Sequence, residues 1–306
     1  MTTRPAKRGG TPDSNSPGYL LVSGVRTDLV DETEALARIQ ERFGVGHAPL
    51  GVASINLDHV HHFGASGAWA GTLGTSVEWL NLIDGAPIAS KARGLSGVDW
   101  PRLAGSDLIG PILDLAERDG IRVGFLGGSE ETRITLLETL GRDRPSLKLA
   151  GVWSPSRAQI TDRMASQELA ATVRKQDVQL LVVCLGKPRQ ELWIEANAAA
   201  TGAEVLLAFG AVADFIAGRV KRAPRWAVNA GMEWAWRLAL EPRRLARRYL
   251  VQGPPAFVRT QRATFVPLES TSEGDPASGP AVAAGSAQHE PEGRTPARWA
   301  VDHTRG

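Results

Sequence analysis

Only one cysteine, Cys184, occurs in 306 residues, so the chain cannot close an internal disulfide and a reducing, cytoplasmic setting is expected. Its apolar neighbours mark it as a core thiol rather than a nucleophile. No stretch approaches the ~18 consecutive apolar residues of a spanning helix. The best candidate is the short run at residues 178–185. Basic residues near the N-terminus are followed by no apolar segment and no small-residue cleavage site, so no secretory signal is expected. An Asp-x-Asp pair, the usual carboxylate device for holding a metal against a nucleotide diphosphate, is absent. Any chemistry of this chain on a nucleotide diphosphate is therefore expected to need no metal, and no other cofactor is expected. Absent too is an early Gly-x-Gly-x-x-Gly with an acidic residue about twenty positions on, which weighs against a nicotinamide-dependent oxidoreductase.

The apolar share of 42% and charged share of 22% are those of a globular chain that can build a core without metals. Residues 1–18 and 266–306 are rich in Pro, Gly, Ser and small residues, and both are read as disordered tails. Between them, short apolar runs alternate with helical stretches, the pattern of an α/β fold with a Rossmann-like parallel sheet flanked by helices. The expected strands are 50–55, 79–83, 122–126, 148–152, 178–185 and 204–209. The expected helices are 31–43, 59–69, 106–118, 132–140, 159–175 and 189–199. Residues 19–218 form the expected catalytic domain.

Net charge is only +2, yet between Arg219 and Arg262 basic residues far outnumber Glu233 and Glu241. Residues 219–265 read as a separate basic, Trp-rich helical appendage, with Arg243, Arg244, Arg247 and Arg248 in one stripe of a helix. Trp226, Trp234 and Trp236 suit either a membrane interface or packing of that appendage. The cluster His59, His61 and His62 is read as packing or helix surface, because adjacent and i,i+2 residues on a helix diverge.

Polar and glycine residues recur at the carboxyl ends of strands, where open α/β sheets bind ligands. At Gly124–Ser129 the turn could hold a diphosphate on backbone N–H groups, although such turns are common without a ligand. In Leu185-Gly186-Lys187-Pro188-Arg189-Gln190-Glu191, Gly186 permits a tight turn and Pro188 stiffens a helix entry. Lys187, Arg189 and Gln190 offer donors to a phosphate or a uracil carbonyl; by composition alone this is a solvated charged turn.

Taken in order, Ser54-Ile55-Asn56, Asp84-Gly85, Arg102–Leu108, Phe125–Gly128, Gly186–Glu191, Phe209–Gly218, Arg222-Ala223-Pro224, Glu233-Trp234 and Glu241–Tyr249 make the chain similar to the bacterial WecG/TagA/CpsF family, glycosyltransferase family 26, from about residue 21 to 250. The resemblance implies a GT-E-type Rossmann-like fold, a UDP-sugar donor carrying N-acetylmannosamine or its uronic acid, and a polyprenyl-diphosphate-linked acceptor. It implies Asp84 as the base of an inverting transfer, with Ser54 and Asn56 beside it. A bare Asx turn before Gly85 is the alternative for Asp84. Substrate binding is directed to Arg102, Gly127, Gly128, Gly186, Lys187, Gln190, Glu191, Asp214 and Arg222, and to the appendage arginines Arg237, Arg243, Arg244, Arg247 and Arg248. Two departures bear on donor specificity: Ser54 stands where the family usually has threonine, and Ala86-Pro87 replaces a pattern often containing a second glycine. An anionic membrane on the cytoplasmic side is the other expected partner. No nucleic acid is expected, and the sequence leaves open a homo-oligomer. A non-catalytic member of the fold is the remaining alternative.

Overall fold

The computed structural model describes residues 18–44, 46–220 and 233–268. Strands β1 (Gly18–Val22) and β2 (Val25–Asp28) open the chain as a hairpin, followed by α1 (Glu32–Gln40). Its two-residue turn puts Ser23 and Gly24 at φ 53° and 83°, the left-handed geometry that matches the twist of tight hairpins. The chain then alternates as β3 (Leu50–Ile55), α2 (Leu57–Phe63), β4 (Glu78–Ile83), α3 (Ala86–Ser96), α4 (Gly105–Asp119), β5 (Val123–Gly127) and α5 (Glu130–Asp143). It continues as β6 (Leu149–Trp153), α6 (Arg157–Thr161), α7 (Arg163–Arg174), β7 (Leu180–Cys184), α8 (Arg189–Thr201), β8 (Val205–Ala208) and α9 (Val212–Ile216). Helices α10 (Glu233–Leu240) and α11 (Pro242–Ala246), a π-helical turn (Arg247–Gln252), α12 (Gly253–Thr260) and β9 (Thr264–Pro267) complete the described chain.

Strands β3 to β8 form one parallel sheet in the order β4-β3-β8-β7-β5-β6. This is the α/β, Rossmann-like architecture the alternation predicts. Strands β3, β5, β7 and β8 are buried at every residue, as parallel strands covered on both faces must be. One face packs Val52, Phe125, Val182 and Leu207 against α1, α4, α5 and α9. The other packs Ala53, Leu126, Val183 and Leu206 against Trp193 and Ile194 of α8 and Val173 of α7.

A third core lies outside this sandwich. There β9 and β2 flank β1 in a small antiparallel sheet, and Leu20, Val22 and Leu29 pack with Val60 of α2, Ile88 and Ala92 of α3, and Ala256 of α12. Neither this sheet nor α3 is in the expected element list, although Pro87 in the first turn of α3 is a favoured helix opener. Residues 253–267 thus share a core with the N-terminal hairpin, and the expected tail boundary at 266 falls within β9. The helix after β3 ends at Phe63, earlier than the expected residue 69, because Gly64 takes an extended backbone at its C-cap.

Candidate functional site

The crevice forms where the strand order turns. Helix α2 leaves β3 to pack in the second and third cores, while α9 leaves β8 to pack in the first. The two therefore diverge over the carboxyl ends of adjacent strands, the placement expected for a ligand site in an open α/β sheet. A cavity of about 330 Å³ opens there, lined by the ends of β3, β4, β7 and β8, the N-terminus of α4, and Glu241 and Arg248 from the C-terminal segment.

Asn56 caps α2, its Oδ1 accepting from the backbone N–H of His59 at 3.2 Å. Its Nδ2 simultaneously donates to Asp84 Oδ2 at 3.0 Å. Since β3 and β4 are paired in register up to Ile55 and Ile83, the residues just beyond each strand are brought side by side. The Asp84 carboxylate is thereby fixed half-buried on the cavity wall. Ser54, one β-pleat earlier, is buried and accepts from the N–H of Gly105, which fastens the start of α4 to β3 at 3.2 Å. A threonine hydroxyl could make the same bond.

Opposite them stands the β7–α8 turn. Gly186, at φ 74°, lets the chain reverse, and the following Lys187–Pro188 peptide is cis. Gln190 stitches the turn to β8: its Oε1 accepts from Gly186 N–H at 3.1 Å and its Nε2 donates to Ala208 O at 2.6 Å. Lys187 Nζ donates to Glu191 Oε1 at 2.6 Å and lies 3.2 Å from His59 Nδ1. Burial alone would raise the Glu191 carboxyl, but the adjoining Lys187 ammonium more than offsets it and holds it well below the usual carboxylate range, at about 2. Burial and then the Lys187 charge push His59 down to about 4, so its imidazole is neutral near pH 7. Asp214 lines the same cavity and accepts from Thr132 Oγ1 at 2.8 Å.

Ser54, Asn56, Asp84, Gly186, Lys187, Gln190, Asp214 and Arg248 therefore meet around one cavity. Other expected site residues do not line it. Gly127 and Gly128 have a packing reason: at φ 117°, a Cβ on Gly127 would sit 2.4 Å from the Cys184 carbonyl oxygen. Glu191 is wholly buried behind Lys187. Arg102 pairs with Asp107 at 3.5 Å. The single arginine stripe expected of residues 243–248 is broken, because the widened π-turn starts at Arg247. Arg243 and Arg247 are exposed, whereas Arg248 turns inward to Asp58 Oδ2 at 3.2 Å. Arg222 lies outside the described residues, as do the side chains of Arg237 and Arg244.

Cys184 is a core thiol, as its neighbours indicate: its Sγ donates to Phe209 O at 3.4 Å and burial pushes it up to about 12. Among the described residues no three His, Cys, Asp or Glu side chains group as a metal site. His59 is buried and, as a neutral imidazole, stands beside the Lys187–Glu191 ion pair, a role its sequence neighbours do not reveal. Asp58 and Thr132 are further site-forming residues that pattern reading does not single out. A helix-period reading of 57–63 places Asp58 on the Arg248 side only once the C-terminal segment is folded back.

The sequence profile described as Glycosyl transferase WecG/TagA/CpsF family matches residues 20–268. Two similar enzymes carry the same description, N-acetylglucosaminyldiphosphoundecaprenol N-acetyl-beta-D-mannosaminyltransferase. The one from Bacillus spizizenii (strain ATCC 23059 / NRRL B-14472 / W23) is 29% identical over 187 residues, covering 61% of this chain and 70% of that enzyme. The one from Bacillus subtilis (strain 168) is 27% identical over 166 residues, covering 54% of this chain and 62% of that enzyme. The chain thus spans roughly two thirds of the length of these relatives.

Proposed function

Because the chain belongs to the WecG/TagA/CpsF glycosyltransferase family, we propose that it transfers an N-acetylmannosamine-type sugar from UDP to a polyprenyl-diphosphate-linked sugar, with inversion at the anomeric carbon, in the synthesis of a cell-surface polymer. The observation that carries this reading is the Asp84 carboxylate, gripped by Asn56 across the cavity from Lys187. Asp84 takes the proton of the acceptor hydroxyl as the acceptor oxygen bonds to the anomeric carbon. The bond from that carbon to the UDP oxygen breaks, and the departing diphosphate is held by cationic side chains rather than by a metal. The names of the two Bacillus enzymes support the sugar and the lipid-linked acceptor. Purified protein mixed with UDP-N-acetylmannosamine and a short-chain polyprenyl-diphosphate-GlcNAc should release UDP and lengthen the acceptor. Absence of both products, with the protein folded, overturns the reading. Full activity should persist in EDTA; loss of turnover restored by Mg²⁺ or Mn²⁺ would overturn the metal-independent part alone.

The acceptor's lipid calls for a membrane surface, and no described helix is long and apolar enough to cross one. The C-terminal segment offers a surface mode of attachment instead. Leu240, Leu250, Val251, Phe257, Val258 and Leu268 are exposed apolar side chains there, interleaved with exposed Arg243, Arg247 and Arg262. Apolar insertion together with attraction of about 1 kcal/mol per basic residue to anionic lipid suits the cytoplasmic leaflet. Sedimentation with phosphatidylglycerol vesicles should carry down the whole chain and leave in solution a variant with Leu250, Val251 and Val258 changed to Asp. Equal sedimentation of both would remove this part of the proposal.

A further inference from the structure

We propose that Glu191 and His59 are positioning residues that hold the Lys187 ammonium toward the cavity as the clamp for the leaving diphosphate, a step that rests on the glycosyl-transfer reading above. The cluster is asymmetric. The Glu191 side chain is 0% exposed, whereas Lys187, at 7%, lines the cavity. An ammonium has three N–H donors. One goes to Glu191 Oε1 at 2.6 Å, and His59 Nδ1 at 3.2 Å takes a second. No third partner occurs among the described residues, and Lys187 lines the cavity. As a donor-only group, Lys187 requires His59 to present Nδ1 as an acceptor, and a neutral imidazole does so.

A purely structural role explains this arrangement poorly. A buried ion pair stabilises a fold little better than apolar residues of the same volume, because desolvation offsets the attraction. This one also leaves Glu191 Oε2 buried without a hydrogen-bond partner among the described residues. What the geometry does provide is a charge that cannot swing away. Glu191 is itself anchored by Gln190 Nε2 at 3.2 Å, and Gln190 bridges β7 and β8. A donor fixed in advance, in a place shielded from water, costs no reorganisation when negative charge develops on the leaving oxygen. The cavity's carboxylates, Asp84, Asp214 and Glu241, give a second reason to lock the cation. A loose Lys187 could settle against one of them.

The test compares UDP with uridine by titration calorimetry on the full chain, since the two ligands differ only in the diphosphate. Lys187→Met should weaken UDP about 10- to 100-fold, the loss of one charge-assisted hydrogen-bonding group, and leave uridine affinity within about twofold. Glu191→Gln and His59→Phe should lower the UDP-to-uridine affinity ratio in the same direction by less. Because each single change can strand a buried partner, the double variant Lys187→Met/Glu191→Gln removes both charges together and should match Lys187→Met in its ratio. A ratio unchanged in Lys187→Met or in the double variant, or equal losses for both ligands, overturns the clamp. If the chain still transfers sugar, the glycosyl-transfer reading survives that outcome; if the unmodified chain binds no UDP, both fall together.

Discussion

Two cavities bordered by described residues lie on the same sheet, and their contrast shows where the chemistry is concentrated. One sits at the carboxyl ends of β3, β4, β7 and β8 and gathers Asp84, Asp214, Lys187 and Arg248. The other, of about 500 Å³, lies toward the amino-terminal halves of β3 and β4, lined by Phe63, Trp69, Leu73, Val77 and Trp79. Two ion pairs tie charged groups of its lining together, Arg26 to Asp28 at 2.8 Å and Arg42 to Glu78 at 2.6 Å. Its wall is pinned by Glu195, which accepts from the N–H groups of Gly74, Thr75 and Ser76, from Thr75 Oγ1 and from Trp79 Nε1. His59 borders this second cavity and, through Lys187, touches the first. Glu195 at the amino end fastens a loop, whereas at the carboxyl end Ser54, Asn56 and Gln190 fasten turns that bring Asp84 and Lys187 to the cavity wall.

The largest expected effect tests the carboxyl-end cavity. Asp84→Asn keeps the hydrogen-bonding shape but cannot take a proton, so turnover should fall by about 10²- to 10⁴-fold with UDP affinity little changed in calorimetry. Near-normal turnover would move the chemistry elsewhere.

Next comes the residue that borders both. The folded His59 value of about 4 lies below its ordinary 6.5. The unfolded chain therefore binds more protons between those values, and stability is lost as pH falls from about 6.5 to 4, by on the order of 3 kcal/mol for a buried group. Glu191, held down at about 2 against an ordinary 4.5, adds a further loss as pH falls below 4.5. Denaturant titrations of His59→Gln should lack the component between pH 6.5 and 4. An unaltered slope would show that other groups carry it.

At the opposite cavity, Glu195→Ala should cost roughly 1–3 kcal/mol of stability by denaturant unfolding, since several N–H groups lose a charged acceptor and some regain water. Turnover of the folded fraction should stay within about twofold. A collapse of turnover with the fold intact would erase the distinction between the two cavities. The smallest effect belongs to Arg42→Ala, whose ion pair involves a largely exposed Glu78 and should be worth at most about 1 kcal/mol.

Much of this was readable in the order of residues. The six parallel strands follow from apolar runs bounded by glycine and polar residues, because a strand covered on both faces has no polar side to show. The positions of Ser54, Asn56, Asp84, Gly186, Lys187 and Gln190 at strand ends follow from the same pattern. The hairpin at 18–28 was also legible, as Ser23-Gly24 between Leu20-Leu21-Val22 and Val25 is a tight-turn signal. The expected folded domain begins at residue 19 but carries no expected element before residue 31, so the hairpin goes unnamed. Helix α3 hides for a different reason. With several Ala, Gly and Ser residues and only Ile88 and Ala92 fully buried, its apolar stripe is too narrow to stand out.

What the sequence determined by itself was the alternation of strand and helix and the set of polar residues at the strand ends, both of which depend on local periodicity and turn chemistry. Only the tertiary structure decided that Glu191 stands behind Lys187 and His59 beside it, that Arg248 turns to Asp58 while Arg247 does not, and that β9 returns to β1. Those outcomes depend on contacts between segments far apart in the chain, where burial and charge pairing are set by what happens to face each side chain after folding. No local pattern encodes that partner.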